Sequence, residues 1–188
     1  MEYTRRICLV LLPLALSVSA TNSATAAEAT EWCTYEALPG ESLPSPRQNL
    51  PEWVCTKASR AKLHEKYRIR TTLNPFYLTG DFNGDGKQDA AVWVEAVRSK
   101  QVGLIIVHGG NAPTTVIGAG IDWDKRGKDY SWTDIWSVEP RGTRLKSPHE
   151  DDRLVIAKGE ILVLTKSESA SFAVYWSGNA YRSYQLTD

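Results

Sequence analysis

From residue 76 to the C-terminus, the chain alternates short apolar segments with turn residues. The segments are rich in β-branched and aromatic side chains, and Gly, Asn or Asp separate them. Short strands at such spacing are typical of antiparallel sheets built from hairpins. We therefore predict a mainly β (α+β) fold, with an antiparallel hairpin-rich sheet or open barrel and one N-terminal helix. The predicted strands are residues 76–80, 90–97, 102–108, 114–117, 131–138, 153–156, 161–166, 171–176 and 181–185.

Residues 1–26 have the layout of a secretory signal peptide. A basic pair, Arg5-Arg6, precedes the apolar run 7–16, and small residues ending in Ala24-Thr25-Ala26 follow, with Val18-Ser19-Ala20 as an alternative cleavage site. The apolar run is too short to span a bilayer comfortably, and no later stretch is long enough. We predict removal of this segment, a periplasmic or secreted location, and no membrane span in the mature chain.

The segment 27–75 is predicted to be loop-rich, with one helix starting near Pro51 and continuing to about residue 66. It contains Cys33 and Cys55, the two cysteines that remain after the signal peptide. An even pair in an oxidising compartment predicts a disulfide, the alternative being two free thiols. Together with the β region 76–188, this segment is predicted to form one domain, residues 27–188.

The charge balance limits the classes of partner. Lys and Arg together number 22, as do Asp and Glu, so the formal net charge is zero. A dedicated nucleic-acid-binding protein normally presents a strongly basic face. We therefore predict no nucleic-acid partner.

Residues 81–89 follow the pattern D-x-N-x-D-G-x-x-D. Side-chain oxygens stand at Asp81, Asn83, Asp85 and Asp89, and Lys87 can add its backbone carbonyl. Oxygen donors of this kind suit Ca²⁺, which takes six to eight oxygen ligands. A metal-free polar turn is the alternative, because Asn-Gly and Asp-Gly are good turn dipeptides. A turn alone does not require three carboxylates that repel one another, so we predict a calcium site.

The residues behind the loop identify its type. An EF-hand needs Glu at the twelfth loop position and flanking helices, whereas this chain has Val92 within the strand-like run 90–94. Residues 80–92 resemble the FG-GAP/VCBS-type calcium hairpin, which implies the same five ligands between two strands. Those repeats stack as propeller blades, but this chain has one convincing copy, so the propeller is not expected. The mature chain is similar to small exported bacterial proteins of unknown function that carry one such loop.

Aromatic side chains alternate with acids between residues 122 and 136. Such a segment can form a binding surface for sugars or proteins, or it can pack in a core. The aromatic members are Trp123, Tyr130, Trp132 and Trp136, and the acids are Asp122, Asp124, Asp129 and Asp134. Residues 122–130 also echo the calcium loop, but Arg126 and Tyr130 replace two of its ligands, so we expect a solvated loop there.

No nucleophile elbow, zinc helix or phosphate loop occurs in the sequence. The leading hypothesis is therefore an exported, calcium-stabilised β-rich binding or interaction module with no catalytic role. Its partner would be a protein or an envelope polymer. One alternative is a calcium-dependent hydrolase of envelope polymers that uses two of the four acids above. Another is an inhibitor or immunity-type protein that binds through the Trp-rich segment, residues 122–136.

Overall fold

A computed structural model describes residues 49–146 and 154–187. The predicted signal peptide and Cys33 lie outside these residues. The elements, in chain order, are α1 (Glu52–Arg60), a 3-10 turn (Leu63–Glu65), β1 (Tyr67–Ile69), β2 (Tyr77–Gly80), β3 (Asp89–Ala96), β4 (Val102–Val107), β5 (Thr115–Gly118), β6 (Ile135–Glu139), β7 (Arg144–Leu145), β8 (Val155–Ile156), β9 (Ile161–Thr165), β10 (Ser171–Trp176) and β11 (Tyr181–Thr187).

All strand pairs in the described residues are antiparallel, which confirms the predicted mainly β class with a helix before the sheets. In the first sheet, β3 pairs with β1 and β2 along one edge and with β4 along the other, and β5 follows β4. The second sheet has the order β11-β10-β9-β6, and β7 pairs with β8 separately. The described strands form no closed barrel.

The first sheet is covered on both faces. Along β3, Val92 and Val94 contact the core under α1, whereas Ala91 and Trp93 contact the core shared with the second sheet. Successive side chains of a strand point to opposite faces, so burial of both faces requires an unbroken apolar run. This is why β3 and β4 are apolar at nearly every position.

The second sheet carries a third, smaller core on its outer face. Leu145 and Val155 of the β7–β8 pair pack there against Ala173, Tyr175 and Tyr184. The order of layers is therefore helix, first sheet, second sheet and the short strand pair. Within the described residues, no helix is long and apolar enough to cross a membrane.

The N-terminal helix is shorter than predicted. It ends at Arg60, and Lys62 adopts a left-handed conformation with φ of 53° before the 3-10 turn. The predicted helical continuation to about residue 66 is therefore wrong, and the chain turns instead into β1, where Tyr67 pairs with Ala96. The predicted strand 131–138 also begins too early, because Thr133 donates to the Tyr130 carbonyl in a turn before β6.

Candidate metal centre

The loop 81–88 joins β2 to β3 as a hairpin connection, with Gly80 paired to Asp89 at its base. Phe82 points its side chain into the core between the two sheets, where it is fully buried. Gly84 and Gly86 have φ of 74° and 83°, a region in which a side chain is strained. The loop is thus held at both ends by strand pairing and in its middle by a buried aromatic ring.

Three of the predicted ligands converge on one short arc of backbone. The Asp85 amide donates to Asp81 Oδ1 at 2.9 Å and to Asn83 Oδ1 at 3.0 Å. The Gly86 amide donates to Asp81 Oδ2 at 3.0 Å, and the Lys87 amide donates to Asp85 Oδ1 at 2.9 Å. A carboxylate or amide oxygen has two lone pairs, so an oxygen that accepts one N–H can still face a cation.

Asp89 has a different position from these three, because it is completely buried at the base of the loop. Its Oδ2 accepts from the amides of Phe82 and Asn83 at 3.1 and 3.4 Å and lies 3.1 Å from His108 Nδ1. Its Oδ1 accepts from the Gly109 amide at 3.0 Å. Asp89 therefore ties the loop to the end of β4, and Oδ1 is the oxygen with capacity left for an ion.

The segment before β9 closes around the loop from the second sheet. The Asp81 amide donates to Glu160 Oε2 at 2.6 Å, and the Glu160 amide donates to the Asp81 carbonyl at 2.8 Å. Arg141 donates to Asp81 Oδ2 and forms an ion pair with it. A Cβ on Gly84 would lie 2.8 Å from the Lys158 carbonyl, so this approach is close. The loop consequently sits at the junction of the two sheets.

Helix α1 reaches the same region through Lys57. Its Nζ donates to the carbonyls of His108, Gly109 and Gly110 at 2.5, 3.1 and 2.6 Å. An ammonium group has three N–H donors, and here all three have an acceptor. Lys57 therefore fixes the β4–β5 connection, whose Gly109 amide in turn holds Asp89.

The five predicted donors of the loop 81–89 are all oxygens, which suits a hard cation, but their carboxylates are not already grouped around one point. Among the described residues, no group of three or more His, Cys, Asp or Glu side chains is placed to hold a metal ion. Two of the five predicted donors are an amide oxygen, from Asn83, and a backbone carbonyl, from Lys87. The loop oxygens would therefore have to approach one another more closely when an ion binds.

The similar segment 122–130 has another role in this fold. Asp124 accepts from the Ser183 amide at 2.6 Å and pairs with Arg182, while Arg126 donates to Ser183 and Gln185. These contacts lie along β11, the edge strand of the second sheet. Covering an edge strand in this way limits its pairing with other chains.

The other acids of the Trp-rich segment are also held separately. Asp122 accepts from the Gly127 amide, and Asp134 accepts from the Ser167 amide and from Lys166. Asp129 accepts from the Val102 amide at 2.9 Å and from Ser131. Each carboxylate thus belongs to a local turn or edge contact, an arrangement that gives the hydrolase hypothesis no geometric support.

The hydrogen bonds of Asp129 lead us to expect that the protein loses stability in acid. Burial raises its pKa, but the hydrogen bonds from Val102 and Ser131 outweigh burial and bring the pKa below its ordinary value. A carboxyl whose pKa is lowered by folding stabilises the protein above its unfolded pKa, about 4, and loses that contribution as pH falls through the folded value. We expect urea midpoints to fall below about pH 4, and Asp129→Asn to make this fall shallower. An identical acid slope in the variant would contradict this assignment.

The aromatic residues proposed as a binding surface divide into two pairs. Tyr130 and Trp136 are buried, at 0% and 6% exposure, so they pack in the core. Trp123 and Trp132 are half-buried and pack against the same core from its margin. Only this second pair retains surface that a partner could contact.

Cys55 is buried on α1 and contributes to the core under that helix. Because Cys33 lies outside the described residues, the Cys33–Cys55 disulfide stays a prediction.

Four residues that support the loop were not singled out as site residues in the sequence. Lys57, His108, Arg141 and Glu160 are distant from residues 81–89 along the chain, and no spacing rule connects them to the motif. The one available signal was His108 at the end of an apolar strand, directly before Gly109-Gly110.

No family model, curated protein or solved structure matches this chain. The likeness of residues 80–92 to an FG-GAP/VCBS-type hairpin therefore stays a prediction that rests on the motif.

Proposed function

We propose that this protein is an exported, calcium-stabilised binding or interaction module, with one structural Ca²⁺ held by residues 81–89. The observation that carries the proposal is the convergence of Asp81 and Asn83 on the single Asp85 amide. Both oxygens lie within hydrogen-bonding distance of one amide, so donors from alternate residues are already near each other, and binding of an ion would bring them closer.

The ion would be held by side-chain oxygens of Asp81, Asn83, Asp85 and Asp89 and by the Lys87 carbonyl. Bound Ca²⁺ supplies further positive charge among three carboxylates, of which Asp81 already pairs with Arg141. The Asp81 backbone is hydrogen-bonded to Glu160. An ion that makes the loop more rigid would therefore also make the junction between the two sheets more rigid. The role proposed for the ion is therefore structural.

The proposed partner is a protein or an envelope polymer. Export is supported by the signal-like residues 1–26, and the separate local contacts of the Trp-segment acids favour binding over hydrolysis. Within the segment 122–136, such a partner could contact the half-buried Trp123 and Trp132. Aromatic residues commonly dominate the energetics of binding surfaces.

Calcium is expected to raise the melting temperature of the chelator-treated protein. With a Kd on the order of 10⁻⁴ M, typical of extracellular sites, 1 mM Ca²⁺ would stabilise the fold by about 1.4 kcal/mol. Asp85→Ala should abolish the shift, because it removes a predicted ligand from an exposed position. Differential scanning calorimetry with and without Ca²⁺ measures both.

Asp122→Ala is the matched control for that experiment. Asp122 is an exposed turn acid that accepts from the Gly127 amide, in the segment that echoes the calcium loop. The control variant should keep the full calcium response. An unchanged melting temperature of the wild type in millimolar Ca²⁺ would disprove the proposed ion.

A further inference from the structure

Tyr181, from the second sheet, packs against His108, a residue that supports the loop 81–89. Tyr181 begins β11 and is 5% exposed. Its ring stacks on the His108 ring, with centroids 5.8 Å apart and planes at 10°. Its hydroxyl is buried and has no hydrogen-bond partner among the described residues. A buried hydroxyl without a partner is costly, and an ordered water or an ion is one explanation for such an atom.

The ring that Tyr181 covers is part of the loop's own support. His108 Nδ1 lies 3.1 Å from Asp89 Oδ2 and 3.3 Å from Asn83 Nδ2, so it contacts two of the five predicted ligands. Burial raises the pKa of Tyr181, and the charges of Asp89, Asp81 and Asp85 raise it further. All three loop carboxylates therefore act electrostatically on this hydroxyl.

The needs of the ion and of the hydroxyl are complementary. If each of the five predicted donors contributes one oxygen, the loop supplies five ligands, whereas Ca²⁺ takes six to eight, which leaves room in its shell for at least one water. A water bound to a cation is a strong hydrogen-bond donor, and a phenol oxygen can accept from it. The Trp176 ring also packs against the Tyr181 ring, with centroids 5.0 Å apart, and this second contact holds the Tyr181 side chain in place.

We propose that the Tyr181 hydroxyl completes the cation site from the second sheet by binding a water of the ion's shell. This inference rests on the proposed calcium function and assigns a specific residue to it. Tyr181 then acts as a positioning residue for the ion's water, and its strand becomes part of what the ion holds together.

The test is the Tyr181→Phe variant, because phenylalanine keeps the ring and removes only the hydroxyl. We expect calcium affinity, measured by isothermal titration, to fall by about three- to tenfold, the range of one lost hydrogen bond. Without calcium, the melting temperature should stay the same or rise slightly, since an unpartnered buried hydroxyl has been removed. A purely structural role would not give this difference between the calcium-free and calcium-bound protein.

Tyr130→Phe is the matched control. Tyr130 is also buried, and its hydroxyl has no hydrogen-bond partner in the described part of the chain, but its ring packs on Trp132 and Phe172 rather than on His108. Its calcium affinity should equal that of the wild type. Wild-type affinity in Tyr181→Phe, or an equal loss in both variants, would overturn the role of Tyr181 while leaving the calcium site intact. Absence of calcium binding by the wild type would instead overturn the proposed function, and this inference with it.

Discussion

Replacing Asp89 by alanine is expected to lower the free energy of unfolding by about 3–5 kcal/mol, because each buried donor that is left without an acceptor costs about 1–3 kcal/mol. The carboxylate accepts from three backbone amides and contacts His108, and all of it is buried. Its loss leaves those donors without an acceptor in a site that water enters poorly. Urea unfolding in excess chelator, followed by Trp fluorescence, measures the loss apart from any effect of calcium.

Asp85→Ala provides the comparison within the same loop. Asp85 is exposed and its carboxylate accepts from the Lys87 amide, so in chelator we expect its removal to change stability by about 0.5 kcal/mol. The two acids thus differ in role: Asp89 supports the loop without an ion, and Asp85 matters when the ion is bound. Losses of similar size in both variants under chelator would contradict this division.

Replacing Trp93 by alanine should cost about 3–5 kcal/mol, the range for large aromatic residues in cores. Trp93 lies on the central strand β3, is 1% exposed, and contacts the core between the two sheets. Its ring is 5.5 Å from that of Trp136, whose Nε1 donates to the Pro75 carbonyl at 2.7 Å. The cavity would therefore open at the contact that joins the sheets. Chemical denaturation followed by far-UV circular dichroism measures the change.

Ile135→Ala is the control for the core prediction. Ile135 lies on β6 in the second sheet but is 53% exposed, so its truncation should change stability by about 0.5 kcal/mol or less. A loss of under about 1 kcal/mol for Trp93→Ala would indicate that the interior face of β3 is not the main core.

The strands were predictable because their signals are local. Segments such as 171–176 combine β-branched or aromatic residues with flanking turn residues, and the structure places β10 at Ser171–Trp176. The strand β1 was not predictable in this way. Its residues lie at the end of an apolar helical pattern, and their strand character comes from pairing of Tyr67 with Ala96 and of Ile69 with Val94, 29 and 25 positions later (96 − 67 and 94 − 69).

The same contrast between local and distant contacts applies to the site. All five predicted ligands lie within nine residues of sequence, so the motif alone indicates them. The supporting residues are brought in by the fold: Glu160 is 79 positions from Asp81, and Lys57 is 51 positions from His108. The burial of Tyr130 and Trp136 was likewise left open by the sequence, because an alternating aromatic pattern suits both a core and a surface.

Isothermal titration of the chelator-stripped protein with Ca²⁺ tests the central claim most directly. We expect one site per chain with a Kd on the order of 10⁻⁴ M and weaker binding of Mg²⁺, which prefers a strict octahedral shell. The heat of binding should disappear in Asp85→Ala and persist in Asp122→Ala. No detectable binding at millimolar Ca²⁺, or equal binding by wild type and Asp85→Ala, would contradict the assignment of residues 81–89 as a calcium site.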